Sequence, residues 1–452
     1  MARTPEQNNA IITGSIPRQL LLFFFPIWLG TMFQQLYNTV DTLIVGNFVG
    51  TQALAAVGAT SSFVQLLVGL FVGLCSGAGV IIAQSFGAGD HDEVNRQVHT
   101  ALALAIAGGA ALTVIGLLIS RPVLRLMQTP DEIVGMASEY LQIYFLGMIP
   151  QMIYNMGTNI LRAVGDSKRP LYFLIVASIV NIVLDIVLVA VIPLGVAGAA
   201  IATVASQVVS AVLCIIKLTR SDGPYRLEIK RIGFDLPLLK KITSQGVPSG
   251  VQNSIIAIAN VVVQSNINTF GSDAMAGCGS YSKVEGFVFL PITAFAMALT
   301  TFIGQNLGAG QFDRAKQGAR IGILCSMAMA ELIGVALFFL APYAMRLFND
   351  DPAVVAIGVR QSHIEALFFC FLAFAHGVSA VLRGAGRAQV PMYTMLGCWC
   401  ILRVSYITLA LKVWPDIATI FWAYPITWSV SCVVFLIYYL KADWVHALEK
   451  SL

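Results

Sequence analysis

The chain is short of charge. Only 11% of its 452 residues are Asp, Glu, Lys or Arg, against about a quarter in a soluble domain. That scarcity excludes a water-soluble particle of this size, because too few polar side chains exist to cover its surface. The composition is instead 57% hydrophobic, with a mean hydropathy of +0.79, so lipid must solvate much of the molecule. Short runs with period-two alternation, the mark of half-buried strands, are also missing. The apolar runs are about 20 residues or longer.

Other absences narrow the function. The eight cysteines include no C-x-x-C pair, and all but Cys278 lie well inside apolar runs, which excludes a disulfide or zinc framework. No H-E-x-x-H, G-x-S-x-G or Walker A pattern occurs. The chain therefore does not read as an enzyme, and a membrane-embedded enzyme is the weakest alternative. No nucleotide-driven engine is indicated, and nucleic acid is not an expected partner. Met1 to Ser15 is polar with Arg3 as its one basic residue. It lacks the basic n-region and short h-region of a cleaved signal, so the first span is expected to persist.

What is present is a series of apolar spans, at 18–48, 53–80, 97–120, 133–160, 171–193 and 195–218, then 243–270, 281–305, 317–341, 354–381, 392–413 and 417–440. Each exceeds the ~20 residues needed to cross a bilayer. Pro26, Pro248, Pro291 and Pro425 fall within or near spans, where a proline frees a carbonyl and kinks a helix. With the N-terminus inside, the inner segments hold Arg18, Arg96, Arg162, Lys168, Arg169, Arg314, Lys316, Arg320, Arg383, Arg387, Lys441 and Lys450. They also hold the linker cluster from Lys217 to Lys241. The outer segments hold only Arg121, Arg125, Arg346, Lys412 and Lys283. That bias places both termini in the cytoplasm of a multi-pass protein of the plasma (inner) membrane. The expected organisation is an N-lobe over 1–219, a cytoplasmic linker over 220–241 and a C-lobe over 242–452.

The two halves are copies. Ile82-Ala-Gln-Ser-Phe-Gly-Ala-Gly89 returns as Ile303-Gly-Gln-Asn-Leu-Gly-Ala-Gly310, and Ile160-Leu-Arg-Ala-Val-Gly165 as Val381-Leu-Arg-Gly-Ala-Gly386. Gln84 and Gln305, like Arg162 and Arg383, stand 221 apart. Pro170 and Tyr172 match Pro391 and Tyr393 at that offset, and Gly50 and Gly58 match Gly271 and Gly279. Six spans per half is an even number, so both halves enter the membrane the same way. The expected fold is an all-α polytopic membrane protein of twelve transmembrane helices. They form two six-helix bundles related by a pseudo-twofold along the membrane normal, an arrangement that suits alternating access.

In these repeated Gln-x-x-Gly-Ala-Gly loops, paired Leu-Arg-x-x-Gly turns and six-plus-six layout, the chain resembles the multidrug and toxin extrusion (MATE) family over almost its whole length. The loop after the second span, Ser85-Phe-Gly-Ala-Gly-Asp-His-Asp, lacks the basic motif of the rival major facilitator transporters. The resemblance implies antiport of amphipathic or cationic organic compounds against H⁺ or Na⁺, with no other cofactor. The expected partners are those small molecules and the lipid bilayer, with the chain a monomer. A lipid or lipid-linked oligosaccharide flippase of the same superfamily is the runner-up.

Carboxylates inside spans are rare and cost roughly 2.5–3.5 kcal/mol each at a helix centre. The first half has two, Asp41 in span 1 and Asp185 in span 5. Counted from the outer ends of their spans, both lie on the order of 12 Å deep, as does Thr203 in span 6. Asn181 is one turn from Asp185, and Asn38 is three residues from Asp41. Such oxygens suit Na⁺, or a carboxyl dyad sharing a proton. The resemblance points to the same set: DinF-like members use matching positions, here Asp41, Asn181, Asp185 and Thr203, which would also be the metal ligands if Na⁺ is the ion. The second half lacks the pair, with Val262 and Tyr406 at the corresponding positions. It carries Lys283, Glu285, Glu331, Glu365 and Arg403 instead, with Glu285 and Glu365 either drawing a cationic drug or pairing with Lys283 or Arg403. Expected cleft residues are Tyr37, Tyr154, Asn155, Met156, Glu285, Phe287, Met297 and Glu365, and the resemblance makes Pro26 a hinge.

Overall fold

In lipid, each backbone N–H and C=O must find its partner within the protein, so apolar spans of this length become helices. The computed structural model bears this out. It describes residues 10–126 and 129–446, apart from the side chains of Ala10, Thr51, Leu54, Ala55, Ala59, Ser61 and Ser62. Arg3 and Lys450, named above for orientation, lie outside the described residues. Spans 1 to 3 are Ile16–Phe48, Thr51–Gly87 and His91–Leu126, and span 6 is Gly195–Thr219. Spans 7 to 9 are Leu236–Asn268, Ser272–Gly308 and Phe312–Arg346, and span 12 is Ile417–Lys441. No strand occurs among the described residues.

Four spans are interrupted. Span 4 is two 16-residue helices, Asp131–Leu146 and Met148–Ala163, meeting at Gly147. Span 10 runs Pro352–Glu365 and Phe369–Gly384 with a tighter turn at Ala366–Phe368. Span 5 is Lys168–Asp185 followed by a widened π turn at Ile186–Val191. Span 11 is Gln389–Met395, a π turn at Leu396–Leu402, then Arg403–Val413. Among the described residues eleven helices are long and apolar enough to cross a membrane, and the broken span 4 makes twelve. The expected prolines Pro26, Pro248, Pro291 and Pro425 all sit inside helices that continue through them. Large apolar side chains such as Leu118 (71% exposed) and Leu332 (73%) point outward, as lipid solvation requires.

The breaks are satisfied by neighbouring side chains. In span 10 the freed N–H of Cys370 donates to Glu331 Oε2 at 3.1 Å. In span 4 the Phe145 carbonyl accepts from Thr113 Oγ1 at 2.8 Å. Glu331, an unexplained acid in the sequence, thus supports the backbone.

The duplication is legible in the backbone. Gly50 and Gly271, Gly89 and Gly310, and Gly165 and Gly386 all have positive φ, between 70° and 112°. Each pair stands 221 apart. After Gly89 and Gly310 the next N–H returns to Ser85 and Asn306 oxygens, and after Gly165 and Gly386 to Leu161 and Leu382. Gly89, Gly165, Gly310 and Gly386 thus close helix C-termini in a conformation that a β-carbon disfavours.

The packing divides into two compact units. One is Leu29–Val251; the other is Gln252–Leu452 together with the chain up to Trp28. The chain passes between them inside spans 1 and 7, three residues after Pro26 and four after Pro248. Accordingly Ile242 of span 7 belongs to the core of Met148, Phe145, Leu161 and Ile82. Leu20 and Ile27 of span 1 belong to that of Tyr281, Phe295, Phe369 and Phe435.

Within the first unit, spans 2 and 7 meet through two small-xxx-small pairs. A β-carbon on Gly73 would lie 2.2 Å from the Gly250 nitrogen, and one on Gly77 2.4 Å from the Gly246 nitrogen. Backbones this close need glycine on both helices.

The polar linker is fastened to the first turns of span 3. Asn95 Nδ2 donates to the carbonyls of Pro224 (3.2 Å) and Arg226 (3.1 Å), and His99 Nε2 accepts the Glu228 N–H at 3.0 Å. Arg96 pairs with Asp235, and Glu93 with Lys241 at 3.7 Å. The Arg96 guanidinium holds the Asp235 carboxyl below the usual carboxylate range. A depressed folded-state value gives a contribution that is full above the ordinary carboxylate range, near about pH 4, and is lost only as pH falls through the lower value. Between neutral pH and mild acidity the latch is therefore constant. Arg96→Ala should speed trypsin cleavage within 220–235 several-fold at neutral pH, read on a gel; an unchanged rate would mean the Asn95 and His99 bonds hold the linker alone.

Candidate cation-coupling site

Four spans of the Leu29–Val251 unit converge where Ile44 and Val45, Tyr140, Val189, Val196, Ala199 and Ala200 form one small core. Asp41 lies one turn from Ile44, Asp185 one turn from Val189, and Thr203 one turn from Ala199, so the core holds their three helices at one depth. The Asp41 and Asp185 carboxyls are near enough to act on each other electrostatically. Asp185 is fully buried and Asn181 is 1% exposed. Asp41 Oδ1, both Asp185 oxygens and both Asn181 amide atoms are buried without a partner in the protein. Buried polar groups are nearly always paired, so these five unpaired atoms mark the set as a candidate site.

The geometry brings together some of the expected residues and leaves others aside. Asp41, Asp185 and Asn181 form the polar centre. Thr203 is half-buried, and its hydroxyl donates to the Ala199 carbonyl at 3.0 Å, which leaves its lone pairs open. Asn38 is exposed, with its carbonyl taken by Thr42 Oγ1 at 2.8 Å. Tyr37 lies close enough to feel the charge of Asp41, and Tyr144 and Tyr154 lie around it. Tyr154 donates to the Pro170 carbonyl at 3.4 Å, and Asn155 is half-buried beside it. Met156, 1% exposed, packs in the core, while Met297 is 42% exposed and Phe287 half-buried.

Sequence reasoning missed a second polar layer. Tyr140 borders both aspartates, and Gln151 Nε2 donates to Tyr144 Oη at 3.4 Å. Oε1 of Gln151 and Oε1 of Gln207 are buried without partners. Their spacing carried the signal: Tyr144 is four residues from Tyr140, and Gln207 four from Thr203.

Two carboxylates, an amide and a hydroxyl make a hard-oxygen set of low charge. No group of three or more His, Cys, Asp or Glu suited to a metal occurs among the described residues. The set therefore fits a proton or a monovalent cation, and lacks the charge a tightly held divalent ion takes. In the second half, Glu285 is half-buried and Glu365 fully buried. Pairing of Glu285 with Lys283, one of the alternatives, does not form; the Lys283 ammonium lies over the Phe348 ring, 5.5 Å from its centre.

The comparisons with known proteins agree with the duplicated plan. The family model MatE matches residues 26–187 and again 248–408, one match per copy. The chain is 28% identical over 433 residues to the probable multidrug resistance protein YoeA of Bacillus subtilis (strain 168), covering 94% of both. It is 27% identical over 362 residues to an FAD transporter of Shewanella oneidensis, covering 77% of this chain and 78% of that one. It shares its fold, at a TM-score of 0.91 and 23% identity over the full length of both chains, with a multidrug resistance MATE family transporter of the MOP superfamily solved in an outward-facing conformation. With both halves matched by the family model, the chain belongs to the MatE family of membrane proteins.

Proposed function

We propose that this protein is a secondary multidrug exporter that expels amphipathic, cationic organic compounds in exchange for H⁺ or Na⁺ bound at Asp41 and Asp185. The carrying observation is the pair itself: two neighbouring carboxyls whose buried oxygens lack protein partners, with the equally unpartnered Asn181 one turn from Asp185. Two close like charges favour uptake of a cation between them. A cation taken up there neutralises the pair, and its release restores a charge that draws an organic cation. The multidrug resistance names of relatives such as YoeA support the cargo class. Basic residues on the segments assigned to the inner side support an orientation with both termini in the cytoplasm. Pro26, three residues ahead of the point where span 1 leaves one compact unit for the other, is placed to act as its hinge.

The test is efflux of a fluorescent lipophilic cation from proteoliposomes under a proton or a sodium gradient imposed separately. Export driven by one of them supports the reading and names the ion. The FAD transporter relative favours a second cargo, an anionic dinucleotide, so FAD belongs in the same assay. Lipid scrambling with no movement of either solute would instead support the flippase alternative.

A further inference from the structure

Arg403 stands in span 11 immediately after a π turn, 3% exposed, deep in a membrane span. A guanidinium there costs several kcal/mol unless compensated (roughly 2.5–3.5 on insertion scales). Its contacts are few. Nε and Nη2 both donate to Thr427 Oγ1, at 3.3 and 3.0 Å, and the charged carbon lies 4.3 Å from the centre of the Tyr424 ring and 5.8 Å from that of Trp399. Among the described residues no carboxylate pairs with it within 4.0 Å. Glu365 and Glu285 lie beyond that distance and act on it electrostatically. Glu365 is oriented by two donors, Tyr281 Oη at 3.1 Å and Gln361 Nε2 at 2.9 Å. The other titratable groups facing these acids and Arg403 are Tyr424, Cys278 and Cys400.

The register gives this cluster its meaning. Subtracting 221 carries Gln361 to Tyr140, Glu365 to Tyr144, Arg403 to Ile182 and Tyr424 to Thr203. Those are the surroundings of Asp41 and Asp185 in the first half. Here the two halves share no charged position, Glu285 answering to Val64, yet each buries charged groups within its spans, with opposite solutions. One has two acids and no base. The other has two acids and a base that never deprotonates.

We propose that Arg403 is a tethered counter-cation for Glu365 and Glu285, taking in the second half the place that an exchangeable ion takes beside Asp41 and Asp185. The second half then carries its own cation while the first half exchanges one, an inference that rests on the coupling role given above to the first half. A free cation would have to displace a guanidinium that cannot diffuse away, so the second half contributes no exchangeable charge.

The experiment is cation binding to the purified full-length protein, read with radioactive sodium by equilibrium dialysis and, separately, as proton uptake on acidification from alkaline to neutral pH. The chain with Asp41→Asn and Asp185→Asn should bind no sodium and lose the proton uptake of the unsubstituted protein. Adding Arg403→Gln should restore a cation by one of the probes, and further adding Glu365→Gln should remove it. Arg403→Lys, which keeps a tethered charge, should restore none. A cation still held by the double-aspartate variant with Arg403 intact would overturn the proposal, whether or not Arg403→Gln folds. So would the absence of a new site in a folded Arg403→Gln chain. Failure of the unsubstituted protein to bind either ion would instead count against the first-half coupling role, while the Arg403→Gln arm stays readable.

Discussion

Asp185→Asn should abolish gradient-driven export while leaving the protein folded. The substitution keeps the shape of the side chain and removes its charge from a fully buried position beside Asp41. At an effective dielectric near 20, a unit charge about 4 Å from a bound cation is worth about 4 kcal/mol. Each 1.4 kcal/mol is about tenfold in affinity, so cation binding should fall by ~10²–10³. Asp41→Asn should cost about as much, and the double variant little more than either single, because groups that act as a unit lose their function together. The readout is the initial rate of fluorescent-cation efflux from proteoliposomes. Additive losses would mean that the two carboxyls bind independently. A single variant with near-normal rates would remove that residue from the coupling step.

Gly73→Val should leave no folded protein, as measured by size-exclusion chromatography in detergent. A β-carbon there would stand 2.2 Å from the backbone nitrogen of Gly250, and backbone cannot turn aside as a flexible side chain can. Ordinary overpacking costs about 1–3 kcal/mol; a clash with backbone on both sides of a helix crossing should exceed it. Gly246→Leu, whose β-carbon would lie 2.6 Å from Leu74 Cα, should behave alike. Gly58 and Gly279, with nothing within 4 Å of an added β-carbon, should accept alanine with a normal elution profile. Equal losses at Gly58 and Gly73 would show that the crossing is not the cause.

The twelve spans were legible because hydrophobic length is set by the bilayer, and the duplication because it repeats turn residues at a fixed offset. Asp41 and Asp185 were legible for a related reason, since a buried charge in an apolar run stands out. Asn38 illustrates the limit of spacing along one helix. It is three residues from Asp41, yet it is exposed and Asn181, from a different span, is the amide beside the pair. Helical periodicity places a residue on a face but does not say which neighbour that face meets. Gly73, Gly77, Gly246 and Gly250 were passed over for the same reason: each half of the motif is ordinary alone, and its meaning lies in the other helix. The breaks at Gly147 and at Ala366–Phe368 were hidden because both lie in apolar sequence, and only Glu331 and Thr113, far along the chain, satisfy the backbone around them.

The coupling ion and the cargo should answer to the same carboxyl pair. The most direct test is the affinity of the purified protein for a fluorescent organic cation, titrated against rising proton or sodium concentration. With Asp41 and Asp185 intact, one of these ions should weaken cargo binding at least about tenfold, a coupling of about 1.4 kcal/mol. In the Asp185→Asn protein that dependence should vanish. An unchanged ion dependence in Asp185→Asn would contradict the account and place the coupling elsewhere in the chain.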